Sequence, residues 1–190
     1  TLAASDLGGV ILRGALIQAV DCTGADVGNA DLRGAVLRDV DLFGSILTAA
    51  TLEGANLSET TLAETRSNRL SLRDASLKDV SFERSKLLGA SFSDATLEDV
   101  VFRDGDLTDV DLQGATLEDV DLTGATLSHS SWQDTTATAV CLDGATLAGV
   151  DLSAASFVDV SFDEGDLSGA FVRDSDLSTA SLTAATVTGA

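Results

Sequence analysis

Residues that could do chemistry are few in this chain of 190 amino acids, and the first of them is its single histidine, His129. His129 lies among Ser128, Ser130 and Ser131, and a hydrolase would combine a serine, a histidine and an acid. One histidine can serve only one such triad, whereas serine and aspartate recur along the whole chain, at positions that tolerate small polar residues. No cysteine or carboxylate constellation with ligand spacing accompanies His129. We therefore predict a surface histidine and a protein that is not an enzyme.

The two cysteines, Cys22 and Cys141, are too few for a disulfide scaffold and lack the histidine partners of a metal site. We expect both to be reduced and structural. The calcium-loop spacing Asp-x-Asp-x-Asp-Gly is absent, as are the glycine patterns of dinucleotide-binding and P-loop proteins. The sequence thus predicts no cofactor and no metal.

The charge is strongly one-sided, with 31 acidic against 11 basic residues and a formal net charge of −20. Such a surface repels phosphates, so we expect no direct binding of nucleic acid. A hydrophobic content of 44% supplies more apolar material than disordered chains carry, which favours a packed structure. No run of about 18 apolar residues and no secretory pattern is found, so we expect a soluble, cytoplasmic protein without membrane contact.

An apolar residue recurs every fifth position, from Leu2 to Val187, at 38 positions without a break in register. Only Ser67 is polar among them. Two residues before each of these centres, from Leu7 onward, stands a small or β-branched residue, with Leu70 as the one large exception. A period of five fits neither a helix nor an extended strand, so the chain must turn regularly with two inward residues in each segment. If the small residue is counted as the first place of each repeat, glycine recurs at the fifth place, where a corner is expected. Proline is absent from the chain.

Segments such as Ala25-Asp26-Val27-Gly28-Asn29 and Ala30-Asp31-Leu32-Arg33-Gly34 resemble the pentapeptide-repeat family, and the resemblance covers the whole chain. It implies an all-β fold, a right-handed quadrilateral parallel β-helix in which four repeats make one coil. Residues 1–190 then form a single domain of about 9.5 coils, with residues 20 apart stacked in columns. At ~4.8 Å per coil the rod is about 45 Å long, and Cys22 and Cys141 are too far apart for a disulfide.

Two stretches depart from the repeat. Residues 65–70 put Ser67 at a centre and Leu70 at a small place, which predicts a local bulge or loop, either as a structural irregularity or as a recognition feature. Trp132 replaces a central leucine beside the small centre Ala137, and we expect a core tryptophan that fills the vacated volume.

Carboxylates concentrate in one of the columns and beside it, where they define a candidate interaction face: Asp39, Glu59, Asp79, Glu98, Asp99, Glu118, Asp119 and Asp159. Neighbouring acids at this spacing repel one another and need a reason. One is solubility and protection of open β-edges in a structural or protein-interaction rod, either alone or within a larger protein. The other comes from the resemblance, because some pentapeptide-repeat proteins bind DNA gyrase as acidic DNA mimics and thereby inhibit or protect it.

Two features favour the rod over the mimic. Six of the 11 basic residues lie within 21 positions, from Arg66 to Lys86, and interrupt the acidic surface. The chain also ends in repeats, without the C-terminal helix that dimerises the gyrase-binding relatives. The partner predicted from sequence is therefore a protein, with a type II topoisomerase as the alternative, and end-to-end or homo-oligomeric contact is expected at uncapped ends.

Overall fold

A computed structural model describes residues 1–190, and its regular elements are eight parallel strands in one sheet. The strands are paired in chain order, and their first residues follow at 20-residue intervals. Their bounds are β1 (Leu16–Asp21), β2 (Val36–Asp41), β3 (Asn56–Thr61), β4 (Ser76–Ser81), β5 (Thr96–Val101), β6 (Thr116–Glu118), β7 (Thr136–Thr138) and β8 (Ser156–Val158). No helix with the length and apolarity of a membrane span occurs in the structure.

Isolated bridges extend the same 20-residue spacing to the other sides of the molecule, for example Asp6↔Asp26, Ile11↔Asp31 and Val101↔Asp121. A bridge column therefore recurs at every fifth residue, and four columns complete one coil. The last bridges reach Asp151↔Phe171 and Asp166↔Thr186. The predicted all-β, four-sided parallel β-helix is confirmed, and the strand-bearing side alone marks seven turns between β1 and β8.

Backbone hydrogen bonds join each coil to its neighbours, and this ladder uses only some of the amides. We number the places of a repeat from the small inward residue, so that the central apolar residue is at the third place. Amides at the second place donate to the preceding coil, and those at the third and fifth places donate to the following coil. The repeat 110–114 gives the bonds Asp111 N to Ala90 O (3.0 Å), Leu112 N to Ser131 O (2.8 Å) and Gly114 N to Gln133 O (2.9 Å). The amide at the next first place closes the corner, as Ala115 N does to Leu112 O at 3.0 Å.

Aspartates at the second place accept a hydrogen bond from the amide at the fourth place, which does not take part in the ladder. Their Oδ1 atoms accept from the backbone amide two residues later, as Asp26 does from Gly28 (2.9 Å), Asp111 from Gln113 (3.0 Å) and Asp166 from Ser168 (2.9 Å). Hydrogen bonds from the side chain and the amide of Ser168 lower the pKa of Asp166, and the same bonds from Ser178 lower the pKa of Asp176. Aspartate is therefore not merely tolerated at this place, as the sequence suggested. It satisfies a backbone donor.

The corners of the coil lie at the fifth place, and nearly all have the left-handed backbone conformation. Positive φ occurs at 24 non-glycine residues and 13 glycines, all at fifth places, and Thr179 is the one fifth-place residue without it. L-residues other than glycine, asparagine and aspartate adopt this region at a cost of about 1–2 kcal/mol. Corner strain thus favours Gly, Asn and Asp at the fifth place.

The interior is one cluster of 51 buried apolar residues, built from the third-place and first-place side chains. The rings of Phe82 and Phe102 stack at 5.1 Å, and Phe92 meets both edge-on. Trp132 is fully buried, as predicted, and its Nε1 donates to Ser130 Oγ at 3.0 Å. No buried side-chain polar atom lacks a hydrogen-bond partner.

Residues 65–70 contain neither the bulge nor the loop expected from sequence. Ser67 and Leu70 are both buried, and Leu70 N closes the corner to Ser67 O at 3.1 Å as in other repeats. The large side chain of Leu70 stands at a first place, next to the small central side chain of Ser67. Leu70 therefore fills the interior volume that a large residue at position 67 would have occupied. Buried hydroxyls accompany the exchange: Thr65 Oγ1 lies 2.8 Å from Ser67 Oγ and 3.1 Å from Ser85 Oγ. The departure lies in the side chains, and the backbone keeps its course.

The left-handed corners predict opposite effects of exchanging glycine and alanine. A Cβ added at Gly144 (φ 65°) meets no atom within 4 Å, so Gly144→Ala should destabilise by about 1 kcal/mol through the backbone alone. Ala49→Gly (φ 56°) should stabilise the fold by up to about 1 kcal/mol, because it removes the strain of a left-handed alanine. The greater conformational entropy that glycine loses on folding reduces this gain. Urea unfolding measures both, with Gly144→Asn as the control that loses less. Equal stability of Gly144→Ala and the parent would contradict the corner assignment.

The second-place aspartates predict a loss of stability in acid. A carboxyl whose pKa is lower in the folded state stabilises the fold above its unfolded pKa of about 3.9, and this contribution disappears as the pH falls through the folded value. Asp166→Asn keeps an acceptor oxygen but cannot titrate, so its free energy of unfolding should fall less between pH 7 and pH 3 than that of the parent. Asp166→Ala should be less stable than Asp166→Asn at pH 7. An unchanged pH dependence in Asp166→Asn would show that this hydrogen bond does not depend on charge.

Candidate interaction surface

The carboxylates singled out from sequence lie where one corner meets its neighbouring face. Six are fifth-place residues of a single corner, which we call the acidic corner: Asp39, Glu59, Asp79, Asp99, Asp119 and Asp159. All six are exposed, and the first five occupy successive coils. Glu98 and Glu118 are paired neighbours in β5 and β6, on the adjoining face. The structure therefore brings the predicted residues together along one edge of the rod.

This corner differs in backbone from the other three. In the coils of β2–β5 the strand includes the corner residue and continues past it. At residues 117–120, 137–140 and 157–160 the strand is shorter, and the chain bends at this corner without forming the turn found at the other three corners. The first-place residues behind it are β-branched in eight successive coils: Val20, Val40, Thr60, Val80, Val100, Val120, Val140 and Val160. Branched side chains suit strands. We call this corner the wide corner because strand pairing runs through it, although its fifth-place residues other than Thr179 have positive φ like those of the other corners.

A shallow open groove of about 660 Å³ follows the wide corner over five coils. Val40, Thr60 and Val80 are among its lining residues, and carboxylates stand on both sides. Asp39, Glu59, Asp79 and Asp99 belong to one side, and Asp21 and Asp41 to the other. The remaining four predicted residues, Glu98, Glu118, Asp119 and Asp159, do not line it.

Sequence reasoning missed Asp21 and Asp41 because they are second-place residues of the next face. Asp41 also has a structural task, since its Oδ1 accepts from Phe43 N at 2.9 Å. The signal that could have found them is the 20-residue recurrence of valine. It marks one corner as wide and thus indicates that the faces on either side of it border a common groove.

Corner strain explains part of the acidic composition, but not its concentration. Aspartate tolerates the left-handed conformation, and glycine tolerates it better. Yet all 13 glycines with positive φ lie at the other three corners. Six of the nine fifth-place residues at the wide corner are acidic, against eight of the 29 at the others. Positive φ alone would allow glycine here, so it does not explain why six of the nine residues are acidic.

Few positive charges neutralise this edge. Lys78 forms an ion pair with Glu98, and this hydrogen bond raises the pKa of Lys78. The six carboxylates of the acidic corner form no ion pair. Their negative potential therefore extends into the groove and the surrounding solvent.

The other side chains that could react or bind a metal ion are scattered over the molecule. No group of three or more His, Cys, Asp and Glu side chains is arranged to hold a metal ion. His129 is an exposed corner residue with φ 60°. Cys22 is a buried free thiol, and Cys141 is half-buried with its Sγ 3.3 Å from Thr123 Oγ1.

The repeat and the four-sided coil together define a class of protein, and comparison with family models identifies it. The model of the pentapeptide repeats (8 copies) matches residues 1–34, 35–66 and 141–178, and that of the pentapeptide repeat region matches residues 75–152. The chain belongs to the pentapeptide-repeat family. A comparison with curated protein sequences gives no match.

Comparison with solved structures also finds matches, three of which follow. HetL, involved in heterocyst differentiation regulation in the cyanobacterium Nostoc sp. strain PCC 7120, is 26% identical, with 94% of this chain and 87% of HetL covered at a TM-score of 0.49. QnrB1, a plasmid-mediated fluoroquinolone resistance protein, is 14% identical, with 94% and 92% covered at a TM-score of 0.41. A pentapeptide repeat protein from the Arabidopsis thaliana thylakoid lumen is 25% identical, with 62% and 65% covered at a TM-score of 0.27.

Proposed function

We propose that this protein is a non-enzymatic interaction module whose acidic corner docks a basic surface of a partner protein. One observation carries the proposal: five successive coils place unpaired carboxylates at a corner that holds no glycine. At ~4.8 Å per coil this gives a line of negative charge about 20 Å long, beside an open groove.

Solubility alone accounts less well for this arrangement. Acids that only keep a rod soluble act equally well when they are spread over all four corners, where they repel one another less. Concentration along one edge increases the repulsion and focuses the field in one direction. A partner that supplies lysine and arginine side chains would relieve that repulsion on binding, and its association would be fastest at low salt.

A narrower candidate is a type II topoisomerase, bound as DNA would be. The line of exposed carboxylates favours it, because a basic DNA-binding surface would meet a continuous negative edge. Duplex DNA carries one charge per ≈1.7 Å of axis, which is denser than one carboxylate per coil. Any likeness is therefore in field and shape, not in the position of each charge.

The test of docking is a titration with a lysine decapeptide. Reversing three charges of the corner in Asp79→Lys/Asp99→Lys/Asp119→Lys should weaken binding at least about tenfold, since exposed pairs contribute roughly 0.2–1 kcal/mol each and the new charges repel the peptide. The matched control reverses three exposed fifth-place aspartates of another corner, in Asp74→Lys/Asp94→Lys/Asp134→Lys. Equal weakening in both triple variants would mean that only net charge matters, and the docking proposal would fail.

A gyrase supercoiling assay with the same two triple variants then distinguishes the partners. Inhibition or protection by the parent that is lost in the acidic-corner variant and kept in the control would identify a topoisomerase. No effect of the parent at any salt concentration would leave the broader module and exclude gyrase.

A further inference from the structure

A group of basic residues lies on a face that does not adjoin the acidic corner. Arg66 and Lys86 are bridge partners at second places, stacked in successive coils. Arg69 stands at the corner of the same face, with a left-handed backbone (φ 58°). All three are exposed, and we call them the cationic patch.

The patch is uncompensated in a molecule rich in acid. Five of the 11 basic residues form ion pairs, and none of the three patch residues is among them. Lys86 has Asp106 as its bridge partner in the next coil, but Asp106 Oδ1 accepts from Thr108 N at 3.2 Å and from Thr108 Oγ1 at 2.7 Å. Stacked like charges at about 4.8 Å repel one another, and arginine is unfavourable in the left-handed region.

The surface around these charges is regular and partly apolar. Leu88, on the same face, has 42% of its surface exposed, and its amide is held by Asn68 Oδ1 at 3.2 Å. The interior exchange of Ser67 and Leu70 lies directly beneath and leaves the backbone undisturbed. The patch therefore lies on a face whose backbone keeps the regular course of the coil.

The order of the bridge columns separates the patch from the acidic corner. In the coil that follows the corner residue Glu59, residues 60–64 form one face and residues 65–69, which include Arg66, form the next. Arg69 therefore lies at the corner diagonally opposite the wide corner. The two surfaces cannot neutralise each other within one rod. Two rods side by side can bring them together.

We infer that the cationic patch docks the acidic corner of a second copy of this chain, an inference that rests on the corner being a docking surface for basic groups. The spacing supports this partner. Arg66 and Lys86 are one coil apart, as are Glu59, Asp79 and Asp99, so two copies match their charges coil by coil. Arginine and lysine then pair with carboxylates without any change in either rod.

Such a contact uses different surfaces on the two copies and does not close into a dimer. Side-by-side addition can continue, which gives open ribbons. The net charge of −20 opposes it at long range. Association should therefore be weak at very low salt, strongest near physiological salt, where charges beyond about 8 Å are screened, and weak again at high salt.

Sedimentation velocity over a range of protein concentrations tests the inference by charge exchange. The weight-average mass of the parent should at least double with concentration. Arg66→Glu/Arg69→Glu/Lys86→Glu and the acidic-corner triple lysine variant should each stay monomeric, whereas their equimolar mixture should associate. The control Arg73→Glu/Arg173→Glu, which alters two unpaired cations outside the patch, should behave as the parent does.

A parent that stays monomeric at every concentration and salt, or a patch variant that associates like the parent, would overturn the inference. The outcome is separable from that of the docking proposal, because the patch variant retains the acidic corner. It should bind the lysine decapeptide at least as tightly as the parent, because its corner remains intact and is not occupied by the patch of another copy.

Discussion

The backbone hydrogen bond between coils is the interaction on which this molecule depends. It stacks each residue on the residue 20 positions away in the sequence. The fold therefore tolerates only those sequence changes that preserve this ladder of hydrogen bonds. Proline is absent from all 190 positions, because amides at the second, third and fifth places all donate to another coil. The ladder also leaves the amide of the fourth place without a backbone partner. The second-place aspartates meet that requirement, as Asp111 does for Gln113.

This requirement changes how the large negative charge is understood. Many acids have a structural task, either as acceptors at the second place or as residues suited to the left-handed corner. A net charge of −20 is therefore no measure of function by itself. What the backbone does not explain is distribution: one corner without glycine and with six acids, and a face with three unpaired cations. Stacking converts a preference at a single place of the repeat into a continuous line of charge, so a solenoid forms an extended surface from few residue types.

The period of five predicted the architecture because it excludes both helix and simple strand, and the resemblance supplied the four sides. Burial followed from the same phase, including that of Trp132. The bulge expected at residues 65–70 was wrong because the unusual residues were considered singly, whereas Leu70 and Ser67 exchange volume in the interior. The part played by Asp41 and its neighbours in the groove was also missed. It depends on knowing which corner is wide, and that distinction appears only in the 20-residue recurrence of valine.

Amide hydrogen exchange, followed residue by residue, tests the ladder most directly. Leu127 and Leu147 donate to the next coil at 2.7 Å, whereas the amides of the residues that follow them, Ser128 and Ala148, have no such partner. We predict slow exchange at Leu127 and Leu147 and fast exchange at Ser128 and Ala148, with Gln113, held by Asp111, in between. The pattern should repeat every five residues through the central coils. Protection of Ser128 and Ala148 equal to that of Leu127 and Leu147 would contradict the account.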